Sequence, residues 1–102
     1  IIIDQDLFGL TRDQLYVSLE SDNVDTRRYY YPALHQQSVN SKWADQYEGK
    51  LPVTDYMSAH TLTLPMFSHM TDDEANGVCD AVERLHEHAE TVRNNWKEIE
   101  QR

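Results

Sequence analysis

The feature that most constrains this chain is an apolar stripe near its C-terminal end. Ala75, Val78, Val82, Leu85, Ala89, Val92, Trp96 and Ile99 follow one another in alternating steps of three and four residues. Such steps trace one face of an α-helix, and an alternating strand cannot carry them. Ahead of the stripe, Thr71-Asp72-Asp73-Glu74 has capping-box form, with a hydroxyl at the N-cap, a carboxylate three residues on, and further acids at the positive end of the helix dipole. The spacing therefore predicts one long helix from this cap through Ile99. A straight helix of roughly 30 residues spans about 45 Å, more than a small domain can cover. Its far end, Trp96 and Ile99, is expected to pack on something outside the domain; a solvated tail with Trp96 folded back is the alternative.

Shorter elements precede it. Ile1-Ile2-Ile3 is β-branched and reads as a buried strand. Thr11-Arg12-Asp13-Gln14 is another capping box, and Leu15, Tyr16 and Leu19 form the buried stripe of a short helix that Ser21-Asp22-Asn23 ends. Val24 to Tyr31 reads as a second strand stopped by Pro32, with Arg27, Tyr29 and Tyr31 on one face and Arg28 and Tyr30 on the other. Residues 36–50 are polar and read as a loop with a helical turn around Trp43 and Tyr47. A short helix from Thr54 to His60 and a third strand, Leu62 to Leu64, closed by Pro65, complete the set. The expected fold is α+β: a small antiparallel sheet of about three strands, a short helix after the first, and the long C-terminal helix packed on one face.

Length allows a single domain. With 18 acidic against 9 basic residues, the formal charge of -9 repels nucleic acid and anionic membranes. No apolar run is long enough for a bilayer span, and no basic segment precedes Ile1 to suggest a signal peptide. A lone cysteine, Cys79, with no zinc-spaced Cys/His cluster, fits a soluble cytoplasmic protein. The opening on three isoleucines, without an initiator methionine, suggests a piece of something longer.

Little here points to self-contained catalysis. His35, His60, His69, His86 and His88 fall on different elements, and His86 and His88 point to different helix faces, so no metal site is expected. Gly9, Gly49 and Gly77 are the only glycines, which leaves no phosphate-cradling loop, and no G-x-S-x-G nucleophile elbow occurs. The segment Arg27 to His35 differs: it gathers two guanidinium groups, three phenols and an imidazole within nine residues. Guanidinium forks match carboxylate or phosphate oxygens, and phenols offer a flat apolar face with a polar tip. The same residues also suit an ordinary half-buried strand whose arginines pair with surface acids.

Arg27-Arg28-Tyr29-Tyr30-Tyr31-Pro32-Ala33-Leu34-His35 resembles R-R-Y-F-Y-P-x-L-H, a motif of the C-terminal domain of the DegT/DnrJ/EryC1/StrS aminotransferases. Gly9-Leu10-Thr11-Arg12-Asp13-Gln14-Leu15 is similar to that family's G-L-S-R-D-E-L. Leu51-Pro52, then Leu62-Thr63-Leu64-Pro65-Met66-Phe67, then Thr71-Asp72-Asp73-Glu74 resembles its closing pattern. The resemblance implies a domain over residues 1–86, with 87–102 a C-terminal helix extension. It implies a pyridoxal-phosphate enzyme that moves an amino group from glutamate to a keto sugar nucleotide, and the R-R-Y-F-Y-P variant resembles members acting on dTDP-linked keto-deoxyhexoses. In that family the Schiff-base lysine and phosphate cup belong to a large N-terminal domain. None of Lys42, Lys50 and Lys97 lies in a sequence resembling the cofactor-lysine segment, so this chain alone is expected to bind no cofactor and to be inactive.

By the same resemblance this domain forms one wall of the substrate cleft, with Arg28, Tyr29, Tyr31 and His35 as substrate contacts. Its partners are the large domain, the sugar nucleotide and a second copy in a homo-oligomer, with neither nucleic acid nor membrane. The competing expectation is a free-standing interaction or dimerisation module that uses the helix from Ala75 to Ile99, with Trp96 and Ile99 at the interface.

Overall fold

The computed structural model describes residues 1–100. Asp4 opens a single helical turn, α1 (Gln5–Phe8), by accepting from the backbone N–H groups of Asp6 and Leu7. Gly9, at φ 97°, ends it in the left-handed region that glycine enters without strain. The capping box then forms as its sequence predicts: Thr11 Oγ1 accepts from the Gln14 N–H at 3.1 Å, and Gln14 Oε1 accepts from the Thr11 N–H at 3.0 Å. These bonds satisfy donors that have no intrahelical partner and open α2 (Arg12–Ser21). Leu15 and Leu19 point inward from α2 and join Leu10 and Leu62 as fully buried side chains; Ile3, Ala81, Leu85, Ala89 and Val92 complete the core.

The expected sheet does not form. Helix takes 63% of the chain and strand or bridge 4%. The extended segments do lie side by side, but each pairing is one residue long: Ile2 with Thr61, and Arg27 with Thr63, both antiparallel. Local sequence explains why no ladder grows. Asp4 caps α1 directly after Ile3, and the middle segment is confined between α4 (Pro52–His60) and Pro65, which has no N–H to donate. On the third side the chain leaves Arg28 in a turn over Tyr29–Pro32, where the Tyr29–Tyr30 and Tyr31–Pro32 peptide bonds are cis. Of the residues that suggested strands, Ile3 and Thr26 are buried while Tyr29, Tyr30 and Tyr31 are exposed in the turn.

Two 3-10 turns, Leu34–Gln36 and Ser38–Asn40, lead into α3 (Ser41–Tyr47), so the expected loop is more helical than its polar composition suggests. Pro52 occupies the first turn of α4, where its missing N–H costs nothing, and α4 starts two residues ahead of Thr54.

The C-terminal stripe is helical but not one rod. Thr71 Oγ1 accepts from the Glu74 N–H at 3.1 Å and opens α5 (Asp72–Glu87), which is followed by α6 (Ala89–Asn94) and α7 (Trp96–Glu100). The breaks fall at His88 (φ -105°, ψ 22°) and Asn95 (φ -104°, ψ 14°). The stripe stays on the core across both breaks: Ala81, Leu85, Ala89 and Val92 are buried, and Trp96 and Ile99 pack against the same cluster beside α2. The end expected to reach beyond the domain, at Trp96 and Ile99, lies partly buried against the domain's own core. Polar ties hold it there: Arg84 to Asp22 at 2.7 Å, His86 Nδ1 to the carbonyl of Phe8 at 2.6 Å, and Arg93 to the carbonyl of Gly9. Among the described residues, no helix is long and apolar enough to cross a membrane, and no group of three or more His, Cys, Asp or Glu side chains could hold a metal ion.

Candidate functional site

The turn after Arg27 presents its rings to solvent: Tyr29 is 54%, Tyr30 76% and Tyr31 49% exposed. Tyr29 and Tyr30 lie edge-tilted with centroids 5.3 Å apart. Polar contacts anchor this open aromatic surface from below. Ser58, near the end of α4, donates its hydroxyl to the carbonyl of Tyr30 at 2.8 Å. The Arg28 guanidinium lies 4.3 Å from the Tyr16 ring centroid and 5.1 Å from that of Tyr31, and Nη1 donates to Asp13 at 3.1 Å. Arg12 approaches Tyr31 from the interior, 4.7 Å from its centroid. Cation–π contacts of this kind gain strength when partly desolvated.

Asp13 therefore serves two guanidinium groups, Arg12 Nε at 2.7 Å and Arg28 Nη1 at 3.1 Å. The cluster carries one net positive charge in a strongly acidic chain. Arg27 is engaged elsewhere: its exposed guanidinium pairs with Asp25, whose hydrogen bond and charge raise its pKa above the ordinary value.

His35 stands apart from this cluster. Its side chain is 9% exposed and its Nε2 lies 2.8 Å from Asp55 Oδ1, to which Gln36 also donates at 3.4 Å. Two neighbouring grooves separate the predicted residues. One, of 590 Å³, runs past Tyr29, Tyr30, Val53 and Met57; the other, of 540 Å³, past His35, Asn40, Trp43 and Tyr47. Leu34 and Thr54 line both.

The structure thus brings Arg28 to Tyr31, although strict strand alternation would put them on opposite faces, because the turn abolishes the alternation. Tyr29 and His35 fall in adjoining grooves. Trp96 and Ile99 lie with the core, not with this site. Arg12, Asp13, Tyr16 and Ser58 were not expected from the sequence to be site residues. A signal for Arg12 existed: it precedes Leu15 by three residues and Leu19 by seven, which places it on the buried stripe of α2.

A sequence profile of the DegT/DnrJ/EryC1/StrS aminotransferase family matches residues 1–83. The chain belongs to that family. Its curated relatives include dTDP-4-amino-4,6-dideoxy-D-glucose transaminase of Escherichia coli, 27% identical over 73 residues, which are 72% of this chain and 19% of the relative. GDP-perosamine synthase of Vibrio cholerae is 28% identical over 82 residues, 80% of this chain and 21% of the relative. A pleiotropic regulatory protein of Geobacillus stearothermophilus is 29% identical over 77 residues, 76% of this chain and 20% of the relative. The chain thus spans about a fifth of the length of the curated relatives it matches.

DegT-family aminotransferases depend on pyridoxal phosphate. The residues present here do not make a site for that group. Lys42 lies over the ring of Trp43, with Nζ 5.1 Å from the centroid, on the exposed face of α3; Lys50 is exposed after α3, and Lys97 is exposed on α7. No lysine lines either groove beside the aromatic turn.

Proposed function

We propose that this chain is the small C-terminal domain of a pyridoxal-phosphate aminotransferase that aminates a keto sugar nucleotide with glutamate as donor. In this reading it contributes one wall of the substrate cleft, with Arg28, Tyr29, Tyr31 and His35 on the substrate side. The large cofactor domain of the same enzyme completes the cleft, in a homo-oligomer. The observation that carries the reading is the aromatic turn: rings left open to solvent on a base that is tied down by Ser58, Arg28 and Arg12. Flat, exposed phenols held in place suit a sugar or a base, since they offer stacking area and hydroxyl groups with little ordering left to do on binding. The family supports the chemistry, and the relatives support the substrate class. One is named for a dTDP-linked amino sugar and another for perosamine linked to GDP, so the shared class is the nucleotide-linked sugar. A transaminase needs its keto form as acceptor.

A dimerisation module built on Ala75 to Ile99 has less to support it. That stripe lies largely against the chain's own core, which leaves no continuous seam for a partner helix.

The test is transamination by this domain together with a large domain that carries a cofactor lysine, with pyridoxal phosphate, glutamate and a keto sugar nucleotide, followed by release of 2-oxoglutarate. Turnover only with both parts present is the expected result. Tyr31→Ala and His35→Ala should lower turnover with the circular dichroism spectrum intact. Unchanged turnover in both variants would remove these residues from the site.

A further inference from the structure

Arg12 is the one charged residue in the buried interior among the described residues, at 2% exposure; the His35 side chain, at 9%, lies at its edge. A buried charge is costly, and replacing a buried ionic group by a well-packed apolar one is often neutral or better for stability. Its position three residues before Leu15 and seven before Leu19 is one where a leucine would simply extend the stripe. What the arginine does there that a leucine could not is join three separate segments. Nη1 donates to the carbonyls of Ser58 at 2.6 Å and Thr61 at 3.0 Å, so it caps the C-terminal end of α4. Nε donates to Asp13 at 2.7 Å, which in turn holds Arg28. Its planar face lies 4.7 Å from the centroid of the Tyr31 ring. Ser58, placed by this cap, donates to the carbonyl of Tyr30. Two routes therefore run from one guanidinium to the exposed turn, one through the Tyr31 ring and one through Ser58 to the Tyr30 backbone.

We propose that Arg12 is a positioning residue for substrate binding, which acts through its contact with the Tyr31 ring and through Ser58 on the Tyr30 carbonyl to fix the orientation in which Tyr29 and Tyr31 meet the substrate. This rests on the reading of the aromatic turn as a substrate wall. Arg12 itself is buried and touches no substrate. Lysine cannot take its place, because its ammonium has no planar face to lay on a ring and no fork that reaches Asp13 from one nitrogen and the two carbonyls from another.

The experiment compares wild type, Arg12→Lys and Ser58→Ala in the complete enzyme, reading KM and kcat for the keto sugar nucleotide, alongside NMR of ring-labelled tyrosine in the full chain. Binding lost equally from ground and transition states raises KM and leaves kcat, so a turn loosened without being lost should raise KM about tenfold. The expected result is that KM rise in Arg12→Lys, a smaller one in Ser58→Ala, kcat within about threefold of wild type, and a displaced Tyr31 ring signal in Arg12→Lys. Should Arg12→Lys fail to fold, Ser58→Ala decides, since it removes one hydroxyl and leaves the cap of α4 in place. An active wild type with KM unchanged in the folded variants overturns this inference alone. So does a Tyr31 signal that does not move in folded Arg12→Lys. A wild-type enzyme without turnover overturns the functional reading, and this inference falls with it.

Discussion

Gly9→Ala probes the joint that ties the C-terminal helices to the start of the domain. A Cβ built at Gly9 would stand 2.9 Å from the Cβ of Ala89 and 3.2 Å from Nη1 of Arg93. The arginine tip can swing aside. Ala89 cannot, because its Cβ is one bond from the backbone of α6 and is 5% exposed, so relief requires α6 itself to move. Overpacking of this kind costs about 1–3 kcal/mol. A residue with a Cβ at φ 97° adds left-handed strain, about 1–2 kcal/mol. The sum, about 2–5 kcal/mol, is a large fraction of the stability of a small domain. At about 4–8 °C per kcal/mol for a domain near 100 residues, Tm should fall by at least about 8 °C. Far-UV circular dichroism melts measure it, and a double-mutant cycle with Ala89→Gly identifies the cause. Removing the opposing methyl should relieve the overlap and leave the strain, giving a coupling of about 1 kcal/mol or more. A drop below about 3 °C, or additive single effects within about 0.5 kcal/mol, would refute the contact between α6 and the turn after α1.

Leu19→Ala empties a fully buried position on α2 and should cost about 2–5 kcal/mol in denaturant unfolding; a loss under about 1 kcal/mol would mean that the core is not centred there. Thr11→Ala removes the hydroxyl that accepts from the Gln14 N–H and should cost about 1 kcal/mol, with Thr11→Ser near wild type. Trp96→Glu sets a carboxylate against the apolar cluster beneath α7, so it should lower Tm while leaving the sedimentation coefficient unchanged. Dissociation of an oligomer by that variant would restore the interaction-module reading.

What the sequence made legible was local. The cap of α2 needs only Thr11 and Gln14, three residues apart, and the face of α5 needs only the repeat from Ala75 to Leu85. The sheet was misread because ladder length is not local. Each expected strand holds a residue that makes a one-residue bridge but none becomes a strand, and whether Ile2 and Thr61 start a ladder depends on how soon Asp4, Pro65 and the Tyr29–Pro32 turn end each segment. The breaks at His88 and Asn95 were hidden for a related reason: the apolar repeat continues through both, and periodicity reports which face is buried rather than whether the axis is straight. In the candidate site, the motif drew notice to Arg28, Tyr29, Tyr31 and His35. Their partners were less accessible, since Arg12 lies 46 residues from Ser58 and Arg28 lies 15 from Asp13.

Arg12 shows how the two kinds of information meet. Read as part of Thr11-Arg12-Asp13-Gln14 it is a filler between the two halves of a capping box. Read by position it belongs to the stripe of Leu15 and Leu19, where a charge is out of place. The contradiction marks a position where folding alone would choose an apolar residue, and such positions are where a chain answers to something besides its core. The structure gives the physical content: the cap holds the first turn of α2, and thereby the guanidinium, against the end of α4 and the ring of Tyr31. Gly9-Leu10-Thr11-Arg12-Asp13 and Arg27-Arg28-Tyr29-Tyr30-Tyr31, weak as separate signals, are two sides of one contact. On this account a change that spares both segments but cuts the tie from the end of α4 to the Tyr30 carbonyl should also disturb the aromatic turn, though less than a change at Arg12. Ser58→Ala is the smallest such change.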